Sequence, residues 1–178
     1  PFELPQSCCV QAVTDKNGNY SQIASNFLAV SKPDGEACVQ YKLYMNYMGE
    51  KLPDFTKFGR ADAVGYVSNF SLQGLPVKSS DDHYAAIFSS NIEIAESGNY
   101  DFRLTSDDGS KLIIDDNVVI DNDGSHSMNL KNKRLYLEKG SHIIKVEYFE
   151  DCEGQGLSLE FAPVGMPLRP VLPEDLTK

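Results

Sequence analysis

Apolar and polar residues alternate along most of this chain, in short runs that turn signals interrupt. The clearest runs cover 84–89, 91–95, 99–104, 111–114, 118–120, 134–137, 141–149 and 157–161. Between them stand Ser97-Gly98-Asn99, Asp108-Gly109-Ser110, Asp115-Asp116-Asn117, Asp123-Gly124-Ser125, Lys139-Gly140 and Gly154-Gln155-Gly156, residues that favour tight turns. Within 141–149, Ile144, Val146 and Tyr148 alternate with Ile143, Lys145, Glu147 and Phe149, which gives one apolar face. Helical periodicity is almost absent. Strands at this spacing without long helices predict an all-β fold, an antiparallel sandwich or barrel. Residues 24–30 read as a short helix or strand, and 31–35 as a turn. The tail, with Pro163, Pro167, Pro170 and Pro173, reads as an extended closing segment or linker. No internal repeat is evident.

Composition narrows the partners. The 178 residues carry 26 acidic against 16 basic side chains, a formal net charge of −10, with an ordinary 41% of hydrophobic residues. One domain of this length buries a full core without metals or bridges. The acidity disfavours nucleic acid and anionic membrane surfaces. No apolar stretch approaches the roughly 20 residues of a membrane-spanning helix. No signal-peptide pattern opens the chain, which is the expectation for a module cut from a longer exported protein. Four cysteines stand at 8, 9, 38 and 152, without zinc-site spacing. Cys8 or Cys9 bridged to Cys38 is one reading and four free thiols the other, with Cys152 unpaired.

The acid is concentrated. Seven aspartates lie between 101 and 123 against only Arg103 and Lys111, and Glu147, Glu150, Asp151 and Glu153 form a second cluster. Most turn aspartates have a local cause, because a short carboxylate bonds to nearby backbone N–H groups. Asp107-Asp108 differs, since adjacent strand side chains normally point to opposite faces. Two carboxylates that converge repel each other unless a proton or cation sits between them. Calcium suits such a site, as it accepts several oxygen ligands in irregular geometry. The stretch Asp121-Asn122-Asp123-Gly124-Ser125-His126 does not match an EF-hand loop, so ligands must come from separate loops.

The run Tyr100-Asp101-Phe102-Arg103-Leu104-Thr105-Ser106-Asp107-Asp108-Gly109-Ser110, continuing to Asp115, resembles the signature of the protective-antigen (PA-14) domain family. So do residues 118–126, Leu137-Glu138-Lys139-Gly140-Ser141-His142 and Val146-Glu147-Tyr148-Phe149-Glu150. Upstream, 47–55 and Gly65-Tyr66-Val67 look like the start of the bacterial versions. The resemblance covers about 40–176. It implies an antiparallel β-sandwich over 40–178, with 1–39 as an N-terminal extension packed on or bridged to it. In lectin-like members, adjacent aspartates joined by a cis peptide bind Ca²⁺, and the exposed ion binds sugar hydroxyls. By motif these are Asp107 and Asp108, and the remaining ligands come from the loop 151–157. Gln155 is the first choice for the side-chain ligand, with Glu153 or Asp151 as substitutes and the Leu157 carbonyl as a further partner.

The resulting expectation is a calcium-dependent, carbohydrate-binding module of an exported adhesin, at the cell surface, monomeric within a larger protein. Asp121, Asn122, Asp123 and His126 are the candidates for sugar specificity, with Asp81, Asp82 and His83 behind them. With no Trp, indole stacking is unavailable and metal coordination carries selection. The rival is a non-lectin interaction or spacer domain, or a glycosidase accessory module, with calcium only structural. An enzyme is not expected. The histidines at 83, 126 and 142 form no nucleophilic arrangement, and His142 reads as solvent-facing with Ser141. Asp107 and Asp108 are too close for glycoside hydrolysis, which needs carboxylates about 5–9 Å apart.

Overall fold

The computed structural model describes residues 38–78 and 81–177, and adds backbone strands alone within the first 37 residues. Those are β1 (Cys8–Ala12) paired with β4 (Ala24–Leu28), and β2 (Asp15–Lys16) paired with β3 (Asn19–Tyr20). The segment 24–30, open between helix and strand in sequence, thus carries a strand. The side chains of Cys8 and Cys9, and with them the bridge to Cys38, lie outside the described residues. Among the described residues Cys38 and Cys152 are free thiols.

The remaining strands are β5 (Val39–Met45), β6 (Ala63–Val67), β7 (Tyr84–Ile94), β8 (Gly98–Asp107), β9 (Ser110–Ile114) and β10 (Asn117–Asn122). They continue with β11 (Asn129–Leu137), β12 (Gly140–Glu150), β13 (Gly156–Pro163), β14 (Arg169–Pro170) and β15 (Leu176–Thr177). One sheet runs β10-β9-β12-β7-β5-β6 and the other β11-β8-β13-β14, with every pairing antiparallel. The fold is an all-β sandwich.

The core follows from alternation. Ile144, Val146 and Tyr148 of β12 and Tyr100, Phe102 and Leu104 of β8 point inward and meet Phe88, Leu112 and Ile114. The runs 84–89 and 91–95 join into one strand, β7, because Ser90 does not break it: its hydroxyl donates to the Cys38 carbonyl at 3.0 Å. β11 is longer than its apolar run, since it is mostly exposed and β8 sets its register. The tail is not a linker. β14 pairs with β13, and β15 pairs with β7. Because Gln40 of β5 faces Ser89 and Thr177 of β15 faces Asn91, β5 and β15 share one edge of β7, end to end.

The turn Asp115-Asp116 has φ of +48° and +62°, the positive pair that a tight I′ hairpin between β9 and β10 requires. His142 is not solvent-facing: its side chain is 14% exposed, and Nδ1 lies 2.6 Å from Asp115 Oδ2 while Nε2 lies 2.8 Å from the Glu138 carbonyl.

Candidate cation site

Among the described residues, the buried polar side chains are Ser106, Asp108, Ser110, Asn122 and Glu150. All five belong to the end of the sandwich where β8 turns into β9 and β12 finishes. Burying such groups costs free energy unless each is bonded, so their concentration marks this end as built for something other than packing. Ser106 and Ser110 hydroxyls lie 2.6 Å apart, and Asn122 Nδ2 donates to Ser106 Oγ at 3.0 Å.

The turn between β8 and β9 is Asp108-Gly109, and the Asp107–Asp108 peptide is cis, as the resemblance implied. Gly109 is required there. A Cβ on it would come within 2.3 Å of the Phe149 ring and 2.9 Å of the Gly124 backbone. The turn therefore presses against the 123–127 loop, and that contact places Asp108. Asp108 is 3% exposed. Oδ1 accepts from the His126 N–H at 2.8 Å and lies 3.2 Å from Ser125 Oγ, while Oδ2 accepts from the Asp151 N–H at 2.9 Å. Ser125 Oγ is also 3.0 Å from Asp151 Oδ2, so its one proton serves one carboxylate at a time.

Asp107 is held less fully. Burial and the charge of Asp108 push its carboxyl above the ordinary range, and a hydrogen bond from the Met128 N–H only partly offsets them. Behind it, the Tyr148 hydroxyl lies 2.6 Å from the Asp107 carbonyl and 2.5 Å from Glu150 Oε2. Glu150 is fully buried, and its Oε1 has no partner among the described residues. Burial outweighs the Tyr148 hydrogen bond and, helped by Asp108, Asp107 and Asp82, pushes Glu150 up to about 8. The Tyr148 hydroxyl has one proton to give, so it donates to the Asp107 carbonyl or to Glu150 Oε2, one at a time.

The two aspartates open on a hollow of about 160 Å³ lined by Ser125, His126, Ser127, Cys152, Glu153 and Gly154. Three carboxylates and two hydroxyls face it, and no Lys or Arg does. Among the described residues no three His, Cys, Asp or Glu side chains converge closely enough to hold a metal by themselves. Calcium does not need three, because carbonyls, hydroxyls and water complete its shell of six to eight oxygens. The carboxylates and hydroxyls around an electrostatically crowded pair fit that ion, while the His126 ring and the Cys152 thiol complete the lining.

The expected ligands separate. Asp107, Asp108 and Glu153 come together. Gln155 lies elsewhere: Oε1 accepts from the Tyr84 hydroxyl at 2.6 Å, and Nε2 donates to the Lys78 carbonyl at 2.8 Å. Leu157, opposite Ser106 in the ladder, joins Gln155 in a neighbouring hollow. Asp151 reaches the site through its backbone N–H and through Ser125, and its Oδ1 lies 3.7 Å from His83 Nδ1.

Of the residues expected to choose a sugar, His126 lines the hollow, with ring nitrogens 3.0 Å from the Ser127 and Asn122 carbonyls. Asn122 is 1% exposed and its amide is engaged with Ser106 and Asn129. Asp123 Oδ1 accepts from the Leu52 N–H at 2.6 Å and the Gly124 N–H at 2.8 Å, clamping the 50–52 segment to the loop. Ser125 N–H completes that clamp by donating to the Glu50 carbonyl at 3.0 Å. Asp121 faces Lys111 at 3.4 Å. Sequence reasoning missed Ser125 and Ser127 as lining residues, and reached Cys152 and Gly154 only as members of the 151–157 loop. Their only sequence signal is a place in the turns 123–127 and 151–156.

The family model for the PA14 domain matches residues 68–170. No curated protein matches the chain. Among solved structures, the chain is similar to the PA14 domain of the MpAFP antifreeze protein, with 19% identity and a TM-score of 0.69 over 83% of this chain and 94% of that one. It is similar to a PA14 sugar-binding domain from an RTX adhesin, with 16% identity and a TM-score of 0.66 over 79% and 98%. An anti-sigma factor domain-containing protein gives 23% identity and a TM-score of 0.66 over 80% of this chain, which spans only 48% of that protein. At these identities the likeness shows the fold.

Proposed function

The chain belongs to the PA14 domain family, and from that premise we propose that it is a non-catalytic carbohydrate-binding module whose Asp107 and Asp108 hold a calcium ion. The observation that carries this reading is the pair itself: two carboxylates opening on one hollow that no Lys or Arg lines. The similar domain named for sugar binding, from an RTX adhesin, supports the ligand class and an extracellular, adhesive setting. Among the described residues no helix is long and apolar enough to cross a membrane.

The residues divide the work. Asp108, fixed by donors from the 125–126 and 151 loops, is the rigid arm. Asp107, with fewer donors, is the arm whose charge is least compensated. Glu153, at the lip with φ of +78°, supplies a third carboxylate, and Ser125 links the two loops that hold Asp108. When bound, calcium supplies open coordination positions for a pair of sugar hydroxyls. Single-site binding of this kind is weak, so adhesion rests on repeated copies in a larger protein.

A purely structural calcium in an interaction or spacer domain is the second reading, favoured by the burial of Asp108 and its bonds to two separate loops. Calorimetry with simple sugars in calcium and in chelator separates the two. The lectin reading expects heat only in calcium. Calcium-dependent melting with no sugar heat favours the structural ion, and equal sugar heats in both buffers overturn the mechanism.

A further inference from the structure

The strands that end the two sheets are β10, β6, β11 and β14, and β11, at 9 residues, is the longest of them. A terminal strand offers a row of unpaired backbone N–H and C=O groups to other chains, so such strands are usually short or broken by a bulge. β10 is broken, by a register shift between Val118 and Ile120. β11 runs opposite β8 from Asn129 to Leu137 without a shift, and among the described residues no strand pairs with its other side. Hydrogen bonds from Asn122, Asn129 and Lys131 tie the start of β11 to β10. Beyond them the edge is open.

The charge of β11 is unlike that of the chain around it. It carries Lys131, Lys133 and Arg134 and no acidic residue, in a sequence of 26 acidic and 16 basic side chains. Where β11 meets β8, a hollow of about 300 Å³ is lined by Asp101, Arg103, Asn132, Lys133, Arg134 and Leu168. Its two guanidiniums are held in place. Arg134 donates through Nε and Nη2 to Asp101 at 2.8 and 2.9 Å, and Arg103 donates to Asn132 Oδ1 at 3.1 Å and to Glu160 at 3.3 Å. With Lys133 the cluster keeps an excess of positive charge. Along its outer row β11 presents Leu130, Asn132, Arg134 and Tyr136, and the two apolar members are 52% and 55% exposed.

We propose that β11 is a docking edge that takes up an extended, acidic segment of another protein as a further strand of the sheet. Strand addition draws affinity from backbone hydrogen bonds and specificity from side chains at alternate positions. A second copy of β11 is not that strand. In-register antiparallel pairing sets Lys131, Lys133 and Arg134 of one chain against the same residues of the other, and like charges across a ladder destabilise it. The same three charges favour glutamate or aspartate in a partner. Antiparallel pairing then fixes the order of the incoming residues. Read from its N-terminus, the added strand meets Tyr136 first and Leu130 last, so it carries an apolar residue at each end and acids opposite Arg134, Lys133 and Lys131. Such docking requires neither calcium nor sugar.

The probe is the capped peptide Val-Thr-Glu-Glu-Thr-Glu-Val, compared with its Lys-for-Glu counterpart and with a form N-methylated on the edge that faces β11. Chelator is present throughout, so that carboxylates cannot reach Asp107 and Asp108 through calcium. Affinity is read by NMR titration of the isotope-labelled chain, and amide hydrogen exchange locates the bound strand. The acidic peptide should bind about tenfold tighter than the basic one, the scale that three cross-strand charge pairs supply, and should slow exchange at alternate amides of β11. N-methylation should abolish binding. The double variant Lys131→Glu, Lys133→Glu should reverse the preference. Equal affinities for the acidic and basic peptides, or unchanged exchange along β11, overturn the added strand. Binding that survives N-methylation also overturns it, because the cations would then be collecting anions without a ladder.

Discussion

At the end of the sandwich where β12 begins, Asp115 meets the His142 ring at 2.6 Å and accepts the Ile143 N–H at 2.9 Å, while the Ser97 hydroxyl donates to Glu138 at 2.7 Å. At the end where β12 finishes, Asp107 faces Asp108, Glu150 lies buried behind them with one oxygen unpartnered, and Glu153 stands at the lip. The same strand thus joins an end whose carboxylates are answered by the protein to an end whose carboxylates crowd one another. Local turn chemistry accounts for the first. The second carries a repulsion that local turn chemistry does not explain, in a chain of net charge −10.

Three experiments probe this contrast. The largest effect belongs to Asp108→Ala in chelator. It strands the His126 and Asp151 N–H donors, while the Ser125 hydroxyl can turn to Asp151; at about 1.5 kcal/mol for each of the two lost bonds to a charged group, a loss of about 3 kcal/mol is expected in urea unfolding. An unchanged midpoint would show that Asp108 does not hold the loops. Next is Asp107→Asn. At a hundredfold excess over its Kd, calcium should stabilise the unaltered protein by about 2.7 kcal/mol, and this variant not at all. In chelator the variant should be slightly more stable than the parent, because it removes a charge that burial and Asp108 disfavour. A calcium response equal to the parent's would break the assignment.

The smallest effect is expected at the other end. Burial pulls His142 down, but the hydrogen bonds to Asp115 and the Glu138 carbonyl outweigh it and leave its pKa raised. A raised histidine stabilises fully below its unfolded value near 6.5 and loses that contribution as pH rises through the folded one. Because Asp115 is half-exposed, the pair is worth about 0.5–1 kcal/mol. Glu150, pushed up to about 8, tilts stability in the same direction. The informative quantity is therefore the difference between the parent and His142→Gln in chelator, which should be present at pH 5.5 and closed by pH 8.5. A difference that persists at high pH would show packing rather than charge.

Much of the sandwich was legible in the sequence because its central strands bury one face. Ile144, Val146 and Tyr148 announce β12 without help. β11 was only partly legible: as an edge strand it is exposed along most of its length, so alternation carries no signal there. The two tail strands were hidden because prolines fix an extended backbone without saying what it pairs with. At the site, Asp107 and Asp108 stood out because adjacency is itself unusual. Their supports did not, since the His126 and Asp151 backbone N–H groups look like any others in a sequence. Gln155 illustrates the limit: its partners, Tyr84 and the Lys78 carbonyl, are more than seventy residues away, and only the folded chain shows that its amide has been taken.

The end-to-end arrangement of β5 and β15 on one edge of β7 sets a path for mechanical load. Chain on the N-terminal side of Val39 and on the C-terminal side of Thr177 departs from almost one point, so tension between the two enters and leaves the sheet at the middle of β7. The aspartate end, at Met45 opposite Tyr84, lies five ladder steps farther along, about 17 Å at 3.4 Å per residue. β15 holds by only two paired residues, Leu176 and Thr177, and is the first element such a pull would peel. Such a pull strains the short pairing of β15 before it reaches the aspartate end.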